Sequence, residues 1–324
     1  MQFLRQVLVQ DETLTVSTVR TDDLPVNPVS MILMTIKGTN STATLTDYQV
    51  VSALLAQIAK VEVLFQGSAI ISGTLGDLAR LSSILIGKPP KQLKMTHVNG
   101  DVRGVCVPII LGRRPYWPEE CFPAVRRGEL QLQTTVAAAQ TGLGGLSIQV
   151  ETVELLGANP SRYMKSTTIS KTPSATGDHD VDLPLGNRLA GTLLFGTTAP
   201  TGASLNASIG QLRLLVDNVE AYYARANWES LLGDLQLRCP TTAEVDSLTV
   251  LENTAAAYAQ FATSDKQNNT GFFDNYRYLD LDASQNDMWL LDTKGRARVH
   301  LRINADVADA IRIMPVELIA VAGS

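Results

Sequence analysis

Two tripeptides recur in the same order about half a chain apart, and this repetition constrains the fold more than any other feature. Asp23-Leu24-Pro25 returns as Asp182-Leu183-Pro184, an offset of 159 positions. Val153-Glu154-Leu155 returns as Val316-Glu317-Leu318, an offset of 163 positions. Both offsets are close to half of the 324 residues. They therefore predict duplication of a whole domain rather than a short solenoid repeat.

The length agrees with two domains, because domains of about 150 residues are the usual size. Leu130-Gln131-Leu132-Gln133 and Val299-His300-Leu301-Arg302 occupy corresponding places in the two halves. Gly157 to Pro160 has the composition of a linker. We therefore predict an N-terminal domain over residues 1–157 and a C-terminal domain over residues 158–324.

Each half has the pattern of a β-sandwich. Polar and apolar residues alternate with the two-residue period of half-buried strands. The segments with this alternation are Leu130–Thr134, Ser147–Val153, Arg298–Ile303 and Ala310–Met314. Val29–Ile36 and Leu189–Phe195 are almost wholly apolar, as strands covered on both faces are. The sequence predicts a mostly β fold.

Short helices interrupt the strands. In the first half, the capping-box pair Thr46 and Gln49 precedes an apolar stripe that continues to Ile58. A second helix is predicted to begin with Asp77 as its cap. The candidate counterparts in the second half are Tyr222–Leu232 and Thr254–Ala262.

Composition excludes several classes of function. The net charge is −5, and no run of Lys or Arg is long enough for a nucleic-acid-binding arm, so direct binding to DNA or RNA is not expected. No apolar stretch approaches the roughly 20 residues of a membrane span, and the first residues match no signal peptide. These patterns predict a soluble chain made in the cytoplasm. Only 18% of the residues are charged, which suggests that neighbouring molecules cover part of the surface.

No pattern of catalytic residues is present, so we expect neither enzymatic activity nor a cofactor. His97, His179 and His300 are far apart and lack the spacing that brings two imidazoles to one metal ion. His300 alternates with Val299 and Leu301, which predicts a solvent-facing strand position. No phosphate-binding loop, nucleophile elbow or dinucleotide fingerprint occurs.

One acidic triplet is a weak candidate for a metal site. Asp178, Asp180 and Asp182 alternate around His179, so their carboxylates would lie on one side of an extended chain. Hard cations such as Ca²⁺ bind clusters of carboxylate oxygens. The alternative is a solvated acidic loop without a metal.

Two aromatic and arginine-rich groups are candidates for subunit contacts. The members of the first group are Arg113, Arg114, Tyr116, Trp117, Phe122, Arg126 and Arg127. The members of the second are Phe272, Phe273, Tyr276 and Arg277. Arg, Tyr and Trp are the residues most enriched at binding hot spots, and the prolines within the first group reduce the entropy lost on ordering a loop. Packing of each loop against its own domain is the alternative.

This plan resembles the double jelly-roll major capsid proteins of tailless icosahedral viruses, a lineage that includes adenovirus-type hexons and capsid proteins of phages and archaeal viruses. The resemblance covers the whole chain: Asp-Leu-Pro is expected to begin each copy and Val-Glu-Leu to end it. It implies two consecutive eight-stranded jelly-roll sandwiches. It also implies that three chains form a pseudo-hexameric capsomer that tiles an icosahedral shell in the virion.

The same resemblance implies partners: other copies of the chain, neighbouring capsomers, minor capsid or penton proteins, and in some members an internal membrane. Two other classes stay open. A virion spike or lectin-like protein that binds a receptor or carbohydrate has a similar β-sandwich, and the acidic triplet would be its best candidate site. A cupin-like enzyme is disfavoured, because it needs two or three metal-binding histidines in one domain.

Overall fold

The computed structural model describes residues 2–41, 51–90, 93, 99–138, 142–200, 204, 206–239, 251–254, 257–260 and 272–321. They fall into two compact units. Unit 1 contains the described residues of Met1–Met164, Cys239–Phe272 and Val321–Ser324, and unit 2 those of Lys165–Arg238 and Phe273–Ala320. The first division lies between Met164 and Lys165, a few residues beyond the predicted boundary at 157. The prediction of a single boundary also missed the two further segments of unit 1, Cys239–Phe272 and Val321–Ser324.

The described residues of the first segment of unit 1, Met1–Met164, contain eight complete strands and two helices. They are β1 (Gln2–Thr13), β2 (Val19–Asp23), β3 (Val29–Asn40), α1 (Val51–Leu55), β4 (Ile58–Phe65), β5 (Ser68–Gly73), α2 (Leu75–Ile86), β6 (Val102–Ile110), β7 (Leu130–Val136) and β8 (Leu143–Leu156). The strands pair antiparallel in two sets, β1-β8-β3-β6 and β2-β7-β4-β5. Within each set, odd-numbered strands alternate with even-numbered strands, which is the strand order of a jelly roll.

Strand β9 (Arg162–Thr167) contains the division between the units, and the strands of unit 2 follow it. The elements after β9 are β10 (Ile169–Lys171), β11 (Gly177–Asp182), β12 (Arg188–Gly196), β13 (Ile209–Val216), β14 (Val219–Glu220), β15 (Ala226–Asn227), α3 (Leu231–Arg238), β16 (Leu251–Thr254), β17 (Ala257–Gln260), β18 (Tyr276–Asp280), β19 (Leu291–Asp292), β20 (Val299–Ala305) and β21 (Ile311–Ala320). Of these, β16 and β17 belong to the Cys239–Phe272 segment of unit 1, and the others belong to unit 2. Two four-stranded sets, β10-β21-β12-β18 and β11-β20-β13-β14, repeat the strand order of unit 1. The predicted fold of two jelly-roll sandwiches is confirmed.

The repeated tripeptides lie at equivalent places in the two units. Val153-Glu154-Leu155 is in β8 and Val316-Glu317-Leu318 is in β21. These are the last strands of the two jelly rolls in chain order, as predicted. The Asp-Leu-Pro tripeptides were expected to begin each copy, which is wrong. Each tripeptide begins at the last residue of the second strand of its jelly roll, Asp23 in β2 and Asp182 in β11. The first strands, β1 and β10, share no sequence motif that would reveal them.

The fourth and fifth strands of each jelly roll are joined by matching hairpin turns. Gln66 and Gly67 connect β4 to β5 with φ of 50° and 80°, and Asp217 and Asn218 connect β13 to β14 with φ of 50° and 67°. Two consecutive residues with positive φ are the mark of a two-residue turn whose twist suits antiparallel strands. The duplication therefore extends to turn geometry, although the turn residues differ.

A hydrogen-bonded pair of a half-buried asparagine and a buried glutamate is also duplicated. Asn27 donates a hydrogen bond of 2.7 Å from Nδ2 to Glu154 Oε2 in unit 1, and Asn187 donates one of 2.8 Å to Glu317 Oε2 in unit 2. Both glutamates are 1% exposed. Each pair ties the segment after Asp-Leu-Pro to the last strand. Lys165 Nζ lies 3.6 Å from Glu317 Oε1, whereas Glu154 Oε1 has no hydrogen-bond partner.

This difference predicts unequal losses of stability. Asn27→Ala removes the hydrogen bond to the buried Glu154 carboxylate and should cost about 2 kcal/mol. Asn187→Ala should cost about 1 kcal/mol, because Lys165 still compensates the second carboxylate. Asn304→Ala removes an exposed hydrogen bond to Asp178 and serves as the control, with a change under about 0.5 kcal/mol. Denaturant unfolding measures all three, and equal losses in the two units would contradict this reading.

The helices depart from prediction at their ends. The cap of α2 is Thr74, whose hydroxyl accepts the Asp77 backbone N–H at 3.0 Å, so Asp77 lies in the first turn and is not the cap. The Thr46 and Gln49 pair lies outside the described residues, and Ile58 belongs to β4. In the second half, α3 begins only at Leu231. Most of the predicted helix over 254–262 is instead strand, because β17 pairs with β16.

Candidate subunit-contact site

The first aromatic and arginine-rich group lies on the β6–β7 loop of unit 1, residues 111–129. Its backbone doubles back closely at Gly112. A Cβ atom at this position would lie 2.1 Å from the Glu120 carbonyl oxygen, so only glycine allows the approach. The loop backbone therefore folds back on itself between Gly112 and Glu120 before the chain enters β7.

A buried ion cluster holds this loop in place. The Glu120 carboxylate is fully buried and pairs with the guanidinium of Arg113 and, at 2.6 Å, with that of Arg162 in β9. The Arg113 backbone N–H also donates to Glu120 Oε2 at 3.1 Å. A buried carboxylate needs such compensation, because an unpaired charge in the interior is strongly destabilising.

Phe122 is a second anchor of the loop. Its ring is fully buried, with its centroid 5.3 Å from that of Phe65 and 4.8 Å from that of Tyr163. Its backbone exchanges two hydrogen bonds with Val29, of 2.8 and 3.0 Å. The side chains of Arg113 and Phe122 thus pack inside their own unit and offer no surface to another subunit. The prediction that these two residues make subunit contacts is corrected accordingly.

The other five members of the group remain at the surface. Arg114, Tyr116, Arg126 and Arg127 are exposed, and Trp117 is half-buried with the Arg114 guanidinium 5.0 Å above its ring. Tyr116 is 46% exposed and is held by its positive φ of 61° and by a hydrogen bond of 2.8 Å from its backbone N–H to Ser30 Oγ. The loop therefore presents these side chains from a fixed backbone. Their role in subunit contacts stays a prediction.

The second group is buried. Phe272, Phe273, Tyr276 and Arg277 are between 3% and 5% exposed, so they cannot form the predicted contact surface. In unit 1, the Arg80 guanidinium lies 4.3 Å above the Phe272 ring and donates a 2.7 Å hydrogen bond to the Phe272 carbonyl.

Arg277 of unit 2 shows why the presence of an arginine did not indicate a subunit contact. Its guanidinium donates to the backbone carbonyls of Trp228 at 2.9 Å and Phe273 at 3.0 Å, and it stacks on the Trp228 ring at 4.9 Å. Burial lowers the pKa of Arg277 to about 10. This arginine satisfies backbone acceptors inside the unit rather than binding a partner.

A further exposed surface was not predicted. Residues 2–7 of β1 are exposed on both faces of the strand, and Phe3, Leu4 and Val7 are 59%, 41% and 48% exposed. The Phe3 ring lies 5.4 Å from the Tyr116 ring, so this surface is continuous with the β6–β7 loop. Because neither face of this part of β1 is buried, its sequence lacks the strict alternation of polar and apolar residues that marks a half-buried strand.

The acidic triplet lies on the edge strand β11, and each carboxylate accepts a hydrogen bond from a side chain of β20 or of the residue that precedes β20. Asn304 donates to Asp178 at 2.7 Å, Arg302 to Asp180 at 2.8 Å and Arg298 to Asp182 at 2.6 Å. Within the described ranges, no group of three or more His, Cys, Asp or Glu side chains is arranged to hold a metal ion. The cross-strand pairing accounts for the alternating aspartates without a cation.

The outer surface of the β11-β20-β13-β14 sheet also carries a polar recess of about 570 Å³. Asp178, Glu229 and Asp306 contribute carboxylates to it, and Arg213 and Arg225 contribute guanidinium groups. Among the residues that the structure describes, no aromatic side chain lines this recess. It therefore lacks the flat apolar surface on which a sugar ring would stack.

Of the three histidines, His97 lies outside the described residues. His179 is half-buried, and its Nε2 lies 2.8 Å from the Ala175 carbonyl oxygen. His300 is on the outer face of its sheet, as the alternation predicts, but it is fully buried, so its predicted exposure to solvent is wrong. Side chains of Asp180, Arg298 and Arg302 cover it.

No protein-family model and no curated protein sequence matches this chain. Solved structures do match. The crystal structure of the major capsid protein of Sulfolobus turreted icosahedral virus superimposes with a TM-score of 0.69 over 99% of this chain and 97% of that chain, at 12% identity. The chain has the double jelly-roll fold.

Two further viral structures support this assignment of the double jelly-roll fold. The major capsid protein of bacteriophage PM2 matches with a TM-score of 0.63 over 100% of this chain and 99% of that chain, at 11% identity. A capsid model of the virus PBCV-1 matches with a TM-score of 0.59 over 98% and 94% of the two chains, at 10% identity. These neighbours are capsid proteins. In the described residues of this double jelly-roll chain, no helix has the length and hydropathy needed to cross a membrane.

Proposed function

We propose that this double jelly-roll chain is a major capsid protein, three copies of which form a pseudo-hexameric capsomer in the shell of an icosahedral virion. The observation that carries the proposal is the end-to-end likeness to viral capsid proteins, which leaves almost no part of either chain unmatched. A shell protein of this kind needs surfaces for its neighbours and no catalytic centre.

The duplicated architecture suits this role physically. Because each chain supplies two units with the same strand order, a ring of three chains contains six similar units. Such a ring can occupy a six-fold position in a closed lattice while the two kinds of unit make different contacts. The divergence of the two units in sequence is what such different contacts require.

We assign one lateral contact to the surface formed by Arg114, Tyr116, Trp117, Arg126 and Arg127 together with Phe3. The loop is rigid in the free chain, since Gly112 and the Glu120 cluster fix its backbone. A preorganised loop loses less entropy on association. Its exposed arginine and aromatic side chains are the types that dominate binding energy at interfaces.

The remaining partners follow from the same role. Neighbouring capsomers and the minor proteins of the vertices would contact the outer surfaces of the capsomer, and the virion would be the site of action. With a net charge of −5, the chain is not expected to grip the genome directly. An internal membrane beneath the shell is compatible with this arrangement.

A virion spike or lectin-like protein is the second candidate. Its best site is the polar recess of unit 2, which offers carboxylates and guanidinium groups that can bind hydroxyl groups. The lack of an aromatic lining residue disfavours it. Binding of the purified chain to a glycan array without trimer formation would favour this second function over the first.

The contact assignment predicts that Tyr116→Ala combined with Trp117→Ala weakens trimer formation by at least about 2 kcal/mol, because two hot-spot side chains are removed. Light scattering coupled to size exclusion gives the mass over a dilution series. Tyr222→Ala is the matched control, because Tyr222 is 51% exposed with φ of 60°, compared with 46% and 61° for Tyr116.

The control variant should assemble as the unchanged chain does, and both variants should unfold within a few degrees of it. A double variant that melts early but still forms trimers would show that the loop packs only its own unit. A chain that stays monomeric at every concentration would contradict the proposed function itself.

A further inference from the structure

One buried histidine has no role in the proposed contacts. His300 in β20 is fully buried, and neither of its ring nitrogens has a hydrogen-bond partner. The carboxylate oxygen Asp180 Oδ2 lies 3.6 Å from His300 Nε2. A buried imidazole without hydrogen bonds is uncommon, because buried polar groups are nearly always satisfied.

The histidine lies beneath an ion cluster that fastens an edge strand. Asp180 of β11 pairs with Arg302 at 2.8 Å, and its Oδ2 lies 3.6 Å from the Arg298 guanidinium. Asp182, which is directly opposite His300 in β11, pairs with Arg298 at 2.6 Å. In the described sheet β11 pairs only with β20, so it is held by this one strand ladder, by the ion pairs, by the Asn304–Asp178 hydrogen bond and by the buried side chain of Val181.

The other neighbouring strands contribute fewer charges. In β13, Leu215 lies opposite His300, and Arg213 lies opposite Arg302. Arg213 in turn lies 3.6 Å from Glu220 of β14. The groups facing the imidazole are thus two carboxylates from β11, Arg298 and Arg302 along its own strand, and Arg213 at a diagonal position.

We propose that His300 makes this cluster an acid-sensitive latch for β11, in which protonation of the buried imidazole opens the Asp180 ion pairs and frees the edge strand. The added proton places a third cation beside Arg298 and Arg302 around the Asp180 carboxylate. The imidazolium can take Asp180 as its counter-ion by displacing an arginine, or it can move into water. Either movement breaks the packing that covers it.

The electrostatic surroundings give the direction of the effect. Burial, with the charges of Arg298 and Arg302, lowers the pKa of His300 below its ordinary value and outweighs the opposite influence of Asp180. The unfolded or opened state therefore binds the proton first as the pH falls below about 6.5. The latch is closed at neutral pH, and its contribution to stability is lost on acidification.

Hydrogen exchange of the full chain at pH 7.5 and 5.5, corrected for intrinsic rates, tests the proposal. Protection of the β11 amides should fall several-fold at pH 5.5 in the unchanged chain. His300→Gln should remove this difference, because glutamine fills much of the same space and does not titrate. His179→Gln, on the same sheet, is the matched control and should keep it.

A His300→Gln variant with the same loss of protection would overturn the proposal, as would a His179→Gln variant that abolishes it. Should His300→Gln fail to fold, nuclear magnetic resonance titration of the unchanged chain decides. The His300 imidazole protons must titrate below pH 6.5 together with loosening of β11. Titration at or above pH 6.5, or unchanged β11 protection, refutes the latch. The test does not depend on capsid assembly.

Discussion

Replacing Glu120 by Ala should destabilise unit 1 by about 3 to 5 kcal/mol, the usual cost of removing one partner from a buried ion pair. The carboxylate is fully buried between Arg113, whose side chain is 6% exposed, and Arg162, whose side chain is 20% exposed. Without it, the ion pairs that this carboxylate makes with both guanidinium groups are lost. Denaturant unfolding gives the change in the free energy of unfolding.

Glu119→Ala is the matched control, because this neighbouring glutamate is exposed and should change stability by less than about 0.5 kcal/mol. Glu120→Ala should also reduce trimer formation at temperatures where unit 1 is still folded, because the loop that carries Tyr116 loses its anchor. If the two variants proved equally stable, the buried cluster would not be what fixes the β6–β7 loop.

A second large effect is expected at Gly191 in β12. An alanine Cβ at this position would lie 2.1 Å from the Tyr278 hydroxyl oxygen and 2.8 Å from the Leu279 carbonyl oxygen. Tyr278 is 1% exposed and has no room to withdraw, and a backbone carbonyl in a paired strand cannot move alone. Gly191→Ala should therefore cost about 3 kcal/mol, the upper part of the range for overpacked cores.

Gly233→Ala separates this clash from a general effect of replacing glycine. Gly233 lies in α3 of the same unit, and a Cβ there would meet no atom within 4 Å. Alanine is the better helix former, so this variant should gain about 0.5 to 1 kcal/mol. Thermal unfolding should shift in opposite directions for the two variants, and a shared direction would argue against the close approach of Tyr278 to β12.

The sequence predicted the fold well because duplication and alternation are local signals. Val29–Ile36 and Leu189–Phe195 are central strands, and the Val-Glu-Leu tripeptides end both jelly rolls. The first strands could not be located. In β1, residues on both faces are exposed, so the two-residue period that marks a half-buried strand is absent.

Contact residues were predicted less well, because residue type does not reveal which way a side chain points. Arg114 and Arg277 both lie in aromatic-rich segments, yet the first is exposed and the second binds backbone carbonyls in the interior. The same limit applies to His300. Its position on the outer face follows from alternation, but the arginines that bury it are brought there by pairing with Asp180 on a strand over 100 residues away in sequence.

Electron microscopy of the purified chain at neutral pH tests the capsid assignment most directly. Negatively stained particles should show compact trimers with a pseudo-hexagonal outline, and concentrated samples should show these particles packed in sheets or shells. Dispersed monomers with no higher assembly, under conditions in which both units are folded, would contradict the assignment of this duplicated jelly roll to a viral shell.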